Sequence, residues 1–147
     1  MNRLVIGLEA TGLLNPNPSG IGVYIKNLII NLNIINKNVI IFYKITRIKH
    51  LKILKIYSND NLRWHYKYIY NPFHKKVNIV HLTDNTFLNY SGVPKIFTIH
   101  DLAVFKSVTQ IKYYTSEKHK QKIKHNLSHI LKNVDAIIAV SNTTKND

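Results

Sequence analysis

Five short apolar runs constrain the fold of this 147-residue chain more than any other feature. Within them apolar and polar residues do not alternate, which is typical of strands buried on both faces. Such strands belong to parallel sheets, because the crossover helices of these sheets cover both faces. The five runs are residues 4–8, 39–43, 77–82, 95–99 and 136–140.

Helical patterns lie between the predicted strands. After a loop rich in Asn, Pro and Gly, apolar residues recur at helical spacing from Ile21 to Leu32, with Ser19 as the candidate N-cap. Residues 113–134 carry one apolar face opposite a lysine-rich face, and Ser141 is the candidate N-cap of a third helix. The sequence therefore predicts an α/β, Rossmann-like domain of three layers with a mainly parallel sheet.

Two segments in the middle of the chain leave alternatives open. Residues 44–57 have the spacing of a basic amphipathic helix, although a strand near residues 51–56 also fits. Residues 64–70 alternate aromatic side chains with others, which is a strand-like period of two. These aromatics either pack on the core or, beside Lys67, stack single-stranded bases.

The composition points to an anionic partner. The chain has 21 Lys+Arg against 7 Asp+Glu, a net charge of +14, and its 45% hydrophobic content excludes a disordered basic tail. Arginine, which phosphate and base recognition favour, occurs only at Arg3, Arg47 and Arg63. The scarcity of arginine weakens the charge as evidence, and the charge alone does not choose among nucleic acid, a phosphorylated ligand and an acidic membrane surface.

The chain shows no targeting or membrane-spanning segment. The run at residues 4–8 is too short for a signal peptide and is followed directly by Glu9, and no stretch approaches the roughly 20 apolar residues of a spanning helix. Cysteine is absent, which excludes disulfides and thiol chemistry. We expect a cytoplasmic protein, either soluble or peripheral at the inner face of the membrane.

A glycine loop follows the first predicted strand. Gly12, Gly20 and Gly22 lie between that strand and the first helix, where backbone amides and the helix dipole favour a phosphate or a sugar. A tight strand-to-helix turn would explain the same glycines without any ligand.

Polar residues also follow two later strands. His100 and Asp101 close the strand at residues 95–99, at the sheet edge where ligands bind in open parallel sheets. His100 either hydrogen-bonds a sugar hydroxyl or a developing negative charge, or is hydrogen-bonded within its own loop. His81 and Asp84 face the same edge, but the four residues lack a recognised metal-ligand spacing, so we expect no metal.

Four segments, taken in order, resemble the N-terminal domain of the family 4-like glycosyltransferases, which have the two-domain GT-B fold. The most specific are residues 99–102, Ile-His-Asp-Leu, and the Ala-Val-Ser sequence of residues 139–141. The four segments are residues 6–10 with 19–24, residues 80–84, residues 97–102, and residues 135–141 with Thr144 and Lys145.

This resemblance implies transfer of a sugar from a nucleotide-diphosphate donor to a saccharide or lipid-linked acceptor, with retention and without a metal or other cofactor. Residues 1–147 would form the acceptor-side half of the GT-B fold, whose glycine loop also approaches the donor phosphates. The resemblance implies that His100 is the catalytic residue. The residues that it implies bind substrate or donor are Gly20, Gly22, Tyr24, Asp101 and Ser141.

The chain departs from the family pattern in two ways. Glu9 and Thr11 stand where the family commonly has Asp and Arg, and Val23 replaces a frequent Arg. The donor-binding C-terminal domain is absent, and with it the paired-glutamate motif. We expect the chain alone to be nearly inactive, as a truncated or split gene product, a half with a separately encoded partner, or a degenerate remnant. The alternatives are a basic nucleic-acid-binding module and a non-catalytic Rossmann-type binding protein.

Overall fold

A computed structural model describes residues 4–15, 17, 19–35, 38–50, 52–53, 62–66, 69–70, 77–88, 90–102 and 117–146. The strands are β1 (Ile6–Glu9), β2 (Val39–Lys44), β3 (Leu62–Tyr66), β4 (Ile69–Tyr70), β5 (Ile79–Leu82), β6 (Lys95–Ile99) and β7 (Ala136–Ala139). The α-helices are α1 (Gly20–Ile35), α2 (Glu117–Leu131) and α3 (Asn142–Asn146), and Thr11–Leu14 and Ile45–His50 form 3-10 helices.

The seven strands form one sheet in the order β4-β3-β2-β1-β5-β6-β7. Its five strands β2-β1-β5-β6-β7 are all parallel and follow the Rossmann-like order 2-1-3-4-5 when numbered among themselves. β3 extends the sheet in parallel, and β4 pairs with β3 in the antiparallel direction. The predicted α/β class is therefore confirmed, and the strand order reverses between β1 and β5.

The core consists of two apolar clusters, one on each face of the sheet. Successive residues of a strand point to opposite faces, and β2 shows this directly. Phe42 packs in the cluster that contains Leu127 of α2, whereas Ile41 packs in the cluster that contains Ile25 of α1. The sheet thus lies between helical layers, as the sequence predicts.

Both predicted helix caps are present. The Oγ atom of Ser19 accepts a hydrogen bond of 3.2 Å from the backbone N–H of Gly22, and α1 begins at Gly20. The Oγ atom of Ser141 accepts a hydrogen bond of 3.1 Å from the backbone N–H of Thr144 in α3. Each side-chain oxygen satisfies a backbone donor that the first helical turn leaves without an intrahelical partner.

The predicted helix over residues 44–57 is wrong at its start. Lys44 is the last residue of β2, and Ile45–His50 form a 3-10 helix. Beyond His50 only residues 52–53 of this segment are described, and they are helical, so the alternative strand near residues 51–56 lies mostly outside the described residues.

Residues 64–70 do not form one strand. β3 and β4 lie antiparallel, with His65 opposite Tyr70 and Tyr66 opposite Ile69. A period of two is the same in both strands, so the alternation alone does not show where one strand ends and the other begins. The side chains of residues 62–70 lie outside the described part of the chain, and the base-stacking prediction stays a prediction.

The prediction that the last strand is buried is wrong. Ile137 and Ile138 of β7 are 52% and 42% exposed, although they point to opposite faces of the sheet. β7 ends the strand order, and among the described residues no strand pairs with its outer edge. An apolar run therefore indicates a strand here, but its burial depends on neighbours that the run itself does not encode.

The close packing beneath β1 leads to a first prediction. A Cβ atom on Gly7 would lie 2.8 Å from Cε2 of Phe42, whose ring is fully buried, whereas a Cβ on Gly20 would meet nothing within 4 Å. We expect Gly7→Ala to lower the free energy of unfolding by about 1–3 kcal/mol through overpacking. Gly20→Ala, the matched control, should leave it unchanged or raise it by up to about 1 kcal/mol. Urea titrations of both variants measure the difference, and equal effects would contradict this account.

Candidate functional site

A crevice opens at the carboxyl ends of β1, β5 and β6, where the strand order reverses. In open parallel sheets this switch point is the usual place of ligand binding. The crevice contains two cavities, of about 140 Å³ beside His100 and about 400 Å³ beside Lys44. Ile21 and Asp84 line both cavities, so the two are neighbouring parts of one crevice. We call them the His100 pocket and the Lys44 cleft.

In the His100 pocket the imidazole ring is fixed by two contacts. Nε2 of His100 donates a hydrogen bond of 2.8 Å to the backbone carbonyl oxygen of Thr83. The ring packs edge-on against Tyr24 of α1, with centroids 4.9 Å apart at an angle of 80°. A carbonyl oxygen can only accept a hydrogen bond, so Nε2 carries the proton of the neutral imidazole ring. Nδ1 is then the ring nitrogen that can accept a hydrogen bond or a proton.

Tyr24 is held in turn by a short chain of polar groups. Its hydroxyl lies 3.1 Å from Oγ1 of Thr98, which lies 2.8 Å from Nε2 of His81. Burial, with a smaller contribution from the nearby His100, lowers the pKa of His81 to about 4, so His81 is neutral at neutral pH. This chain links β5, β6 and α1 and positions the Tyr24 ring against His100.

The predicted binding residues are only partly brought together. Asp101 lines the His100 pocket, and Tyr24 contacts His100. Gly22 is buried and its amide is engaged by Ser19, whereas Gly20 is exposed at the start of α1. Neither glycine lines either cavity, although Ser19 lines the Lys44 cleft. The roles assigned to these residues stay predictions.

Ser141 lies apart from the crevice. It caps α3 and lines a separate groove of about 950 Å³ beside β7. Its hydroxyl lies 3.0 Å from that of Thr144, which donates at 3.4 Å to the backbone carbonyl of His100. Ser141 is therefore connected to His100 only through Thr144 and the backbone.

A buried carboxyl group at the end of β1 escaped the sequence prediction of the site. Glu9 is fully buried, and its Oε1 accepts hydrogen bonds from the backbone N–H of Thr11, at 3.2 Å, and from the Thr11 hydroxyl. Burial raises the pKa of Glu9 to about 7, against the lowering effect of Thr11 and of the Lys44 charge. In the sequence Glu9 stood out only as a departure from the family pattern.

Asp84 is the second carboxyl group of the crevice. Burial and, to a lesser extent, the charge of Glu9 raise its pKa to about 6, against the lowering effect of the Thr86 hydrogen bonds and of the Lys44 charge. Its Oδ1 accepts a hydrogen bond of 2.7 Å from the backbone N–H of Thr86, whose hydroxyl accepts one of 3.0 Å from Nζ of Lys44. The sequence feature that could have identified this cluster is the position of its members, since Glu9, Lys44 and Asp84 each stand at or just after the end of a predicted strand.

Gly12 allows the loop to approach Asp84. A Cβ atom on Gly12 would lie 2.7 Å from Oδ2 of Asp84 and 3.0 Å from Cδ1 of Ile25. The tight strand-to-helix turn, which was the alternative explanation for a glycine in this loop, therefore accounts for Gly12.

Comparisons with known proteins identify no family. No family model matches the chain, and neither a curated protein nor a solved structure matches it significantly. In the described part of the chain, His, Asp and Glu side chains do not gather in a group of three or more that could hold a metal ion. Of the helices described, none combines the length and the apolar character needed to cross a membrane. What the structure establishes is the Rossmann-like parallel α/β fold.

The buried Glu9 predicts a distinctive pH dependence of stability. Because its pKa is raised from 4.5 to about 7, the folded chain holds a proton that the unfolded chain releases in this window. The stabilisation that a protonated Glu9 gives the folded state is therefore fully present below about pH 4.5, and this contribution to the free energy of unfolding is lost as the pH rises through 7. Glu9→Gln cannot titrate, so its stability relative to the natural chain should rise by about 3 kcal/mol between pH 4.5 and 8.

The control for this measurement is Glu117→Gln, because Glu117 is the chain's other glutamate and its side chain is 68% exposed. Chemical denaturation across this pH range gives the free energy of unfolding of each variant. If Glu9→Gln runs parallel to Glu117→Gln, the buried carboxyl does not titrate with folding and the account of Glu9 is wrong.

Proposed function

We propose that this chain is the acceptor-side half of a retaining, nucleotide-sugar-dependent glycosyltransferase of the GT-B type. The observation that supports this most is the position of His100. Its imidazole ring lies at the carboxyl end of β6, in the crevice at the switch point, and is packed against Tyr24. The resemblance of residues 97–102 to the family motif led to the same histidine from sequence alone.

The chemistry of the His100 pocket suits a sugar ring. A half-buried imidazole supplies a hydrogen-bonding nitrogen, and Asp101 and Asn85 add polar groups at the same pocket. Ile21 and Ile123 supply apolar surface for the carbon face of the ring. In this proposal His100 hydrogen-bonds the reacting sugar, and the glycine loop before α1 faces the donor phosphates.

The His100 pocket by itself has room for only part of a nucleotide sugar. Complete small-molecule sites commonly enclose about 300–1,000 Å³. In this proposal the His100 pocket, at about 140 Å³, takes the sugar, and the donor-binding half completes the contacts of the nucleotide, so that this chain alone binds a nucleotide sugar weakly. The proposed partners are therefore a nucleotide sugar, a saccharide or lipid-linked acceptor, a donor-binding half, and an anionic membrane surface where the acceptor is a lipid.

A non-catalytic Rossmann-type binding protein is the second candidate. It is favoured by the internal hydrogen bonds that already engage Nε2 of His100 and the amide of Gly22. In such a protein both groups would stabilise the fold, and the crevice would bind a ligand without catalysing the transfer of a sugar.

The proposal predicts that the chain binds nucleotide sugars at the His100 pocket. In titrations with UDP-glucose and GDP-mannose followed by NMR, we expect saturable binding of one of them, with amide shifts at residues 98–101 and near Tyr24. His100→Ala should weaken this binding about tenfold, the scale of one lost hydrogen bond with its packing. His125→Ala is the matched control, because His125 is exposed on α2.

Thermal unfolding of both histidine variants tests whether they remain folded, and His100→Gln provides a less disruptive replacement. Absence of saturable binding of either nucleotide sugar up to about 10 mM would contradict the proposal. Tight, steeply salt-dependent binding of single-stranded oligonucleotides instead would favour the nucleic-acid alternative. Sugar transfer after mixing with a donor-binding half encoded at the same locus would separate an enzyme half from a binding protein.

A further inference from the structure

The Lys44 cleft has the size and composition of a small-molecule site, and the proposed function does not say which ligand it holds. Its volume of about 400 Å³ falls within the usual range of ligand pockets. Apart from Gly12 and Ile21, every lining residue carries a hydrogen-bonding side chain. The lining residues are Thr11, Gly12, Asn15, Ser19, Ile21, Lys44, Thr46, Arg47, Asp84 and Thr86.

The ammonium group of Lys44 is fixed at the cleft wall. Its Nζ donates a hydrogen bond of 3.0 Å to Oγ1 of Thr86, and its backbone N–H donates one of 2.9 Å to Oγ1 of Thr11. An ammonium has three N–H donors, so the bond to Thr86 uses one of them. Arg47, one turn further along the 3-10 helix, adds a guanidinium group to the same lining.

Asp84 places an acceptor opposite these cations. Its Oδ1 is engaged by the backbone of Thr86, while Oδ2 is the atom that a Cβ on Gly12 would touch at 2.7 Å. Asp84 also lines the His100 pocket, so a ligand in the cleft extends toward His100. Two cations with one carboxyl acceptor suit a ligand that carries both an anionic group and hydroxyls, because a bare anion would be repelled by Asp84.

We propose that the Lys44 cleft binds a phosphate ester of a polyhydroxylated ring, with the phosphate between Lys44 and Arg47 and a ring hydroxyl donating to Asp84. This inference rests on the proposed function, in which the phosphorylated ring is the acceptor beside the His100 pocket. The same chemistry occurs in soluble sugar phosphates and in the headgroup of a phosphorylated lipid, which the experiment distinguishes.

The test is a binding experiment with named probes. Calorimetric titrations use glucose 1-phosphate, glucose 6-phosphate, glucose and inorganic phosphate, and sedimentation uses phosphatidylcholine vesicles with 20% phosphatidylinositol or, as a charge control, 20% phosphatidylserine. We expect one sugar phosphate, or the phosphatidylinositol vesicles, to bind at least about tenfold more tightly than the corresponding controls. Binding to vesicles alone would identify the lipid headgroup as the source.

Variants assign that binding to the cleft. Lys44→Met and Arg47→Met should each weaken it about tenfold, the scale of a charge-assisted hydrogen bond. Lys122→Met is the matched control, because it removes the same charge from the exposed face of α2. Arg47 is exposed on the 3-10 helix, so Arg47→Met keeps the test informative if Lys44→Met fails to fold.

Three results would overturn the inference. One is the absence of saturable binding of any phosphorylated probe up to about 10 mM. Another is equal weakening by Lys44→Met and Lys122→Met, which would reflect net charge alone. The third is inorganic phosphate binding as tightly as the sugar phosphates. Loss of nucleotide-sugar binding at His100, with phosphate-ester binding retained in the cleft, would defeat the proposed function and leave the cleft assignment intact.

Discussion

The burial of the Glu9 carboxyl at the centre of the sheet is the constraint on which the crevice depends. β1 lies between β2 and β5 at the centre of the sheet, and the side chain of its last residue, Glu9, is fully buried. A carboxyl group without partners is costly in such a place, and Thr11 supplies two hydrogen-bond donors to its Oε1. Thr11 turns back onto Glu9, and the end of β2 brings the Lys44 charge close enough to lower its pKa.

The apolar runs predicted the parallel sheet well because backbone pairing and burial coincide at its centre. The first predicted strand starts two residues too early and ends one residue too early, since β1 begins at Ile6 and continues through Glu9, which no hydrophobic pattern would include. At the sheet margin the same logic failed, because Ile137 and Ile138 have the composition of a covered strand but no described neighbour covers them. The hydrophobic pattern of a segment indicates that it forms a strand, whereas the burial of that strand depends on elements that are distant in sequence.

The candidate site was predictable only as far as strand ends are predictable. His100 follows directly from the end of β6, and the position of Asp84 from the end of β5. The contact of His100 with Tyr24 joins residues 76 positions apart and requires the strand order, which no local pattern contains. Ser141 shows the converse, because its motif was read correctly as a helix cap but lies beside a different groove.

The strand order also changes what the +14 charge means. On α2 the exposed lysines Lys118 and Lys122 face solvent, where an isolated positive charge is strongly hydrated and selects no particular ligand. Lys44 differs because β2 carries it to the switch point, where Thr86 holds its ammonium and Asp84 faces the same cleft. A positive charge fixed in a lined cavity selects a ligand by its shape as well as by the sign of its charge. If the cleft binds a ligand as proposed, the part of the surplus that bears on recognition is small and local, and it lies in the Lys44 cleft next to the His100 pocket.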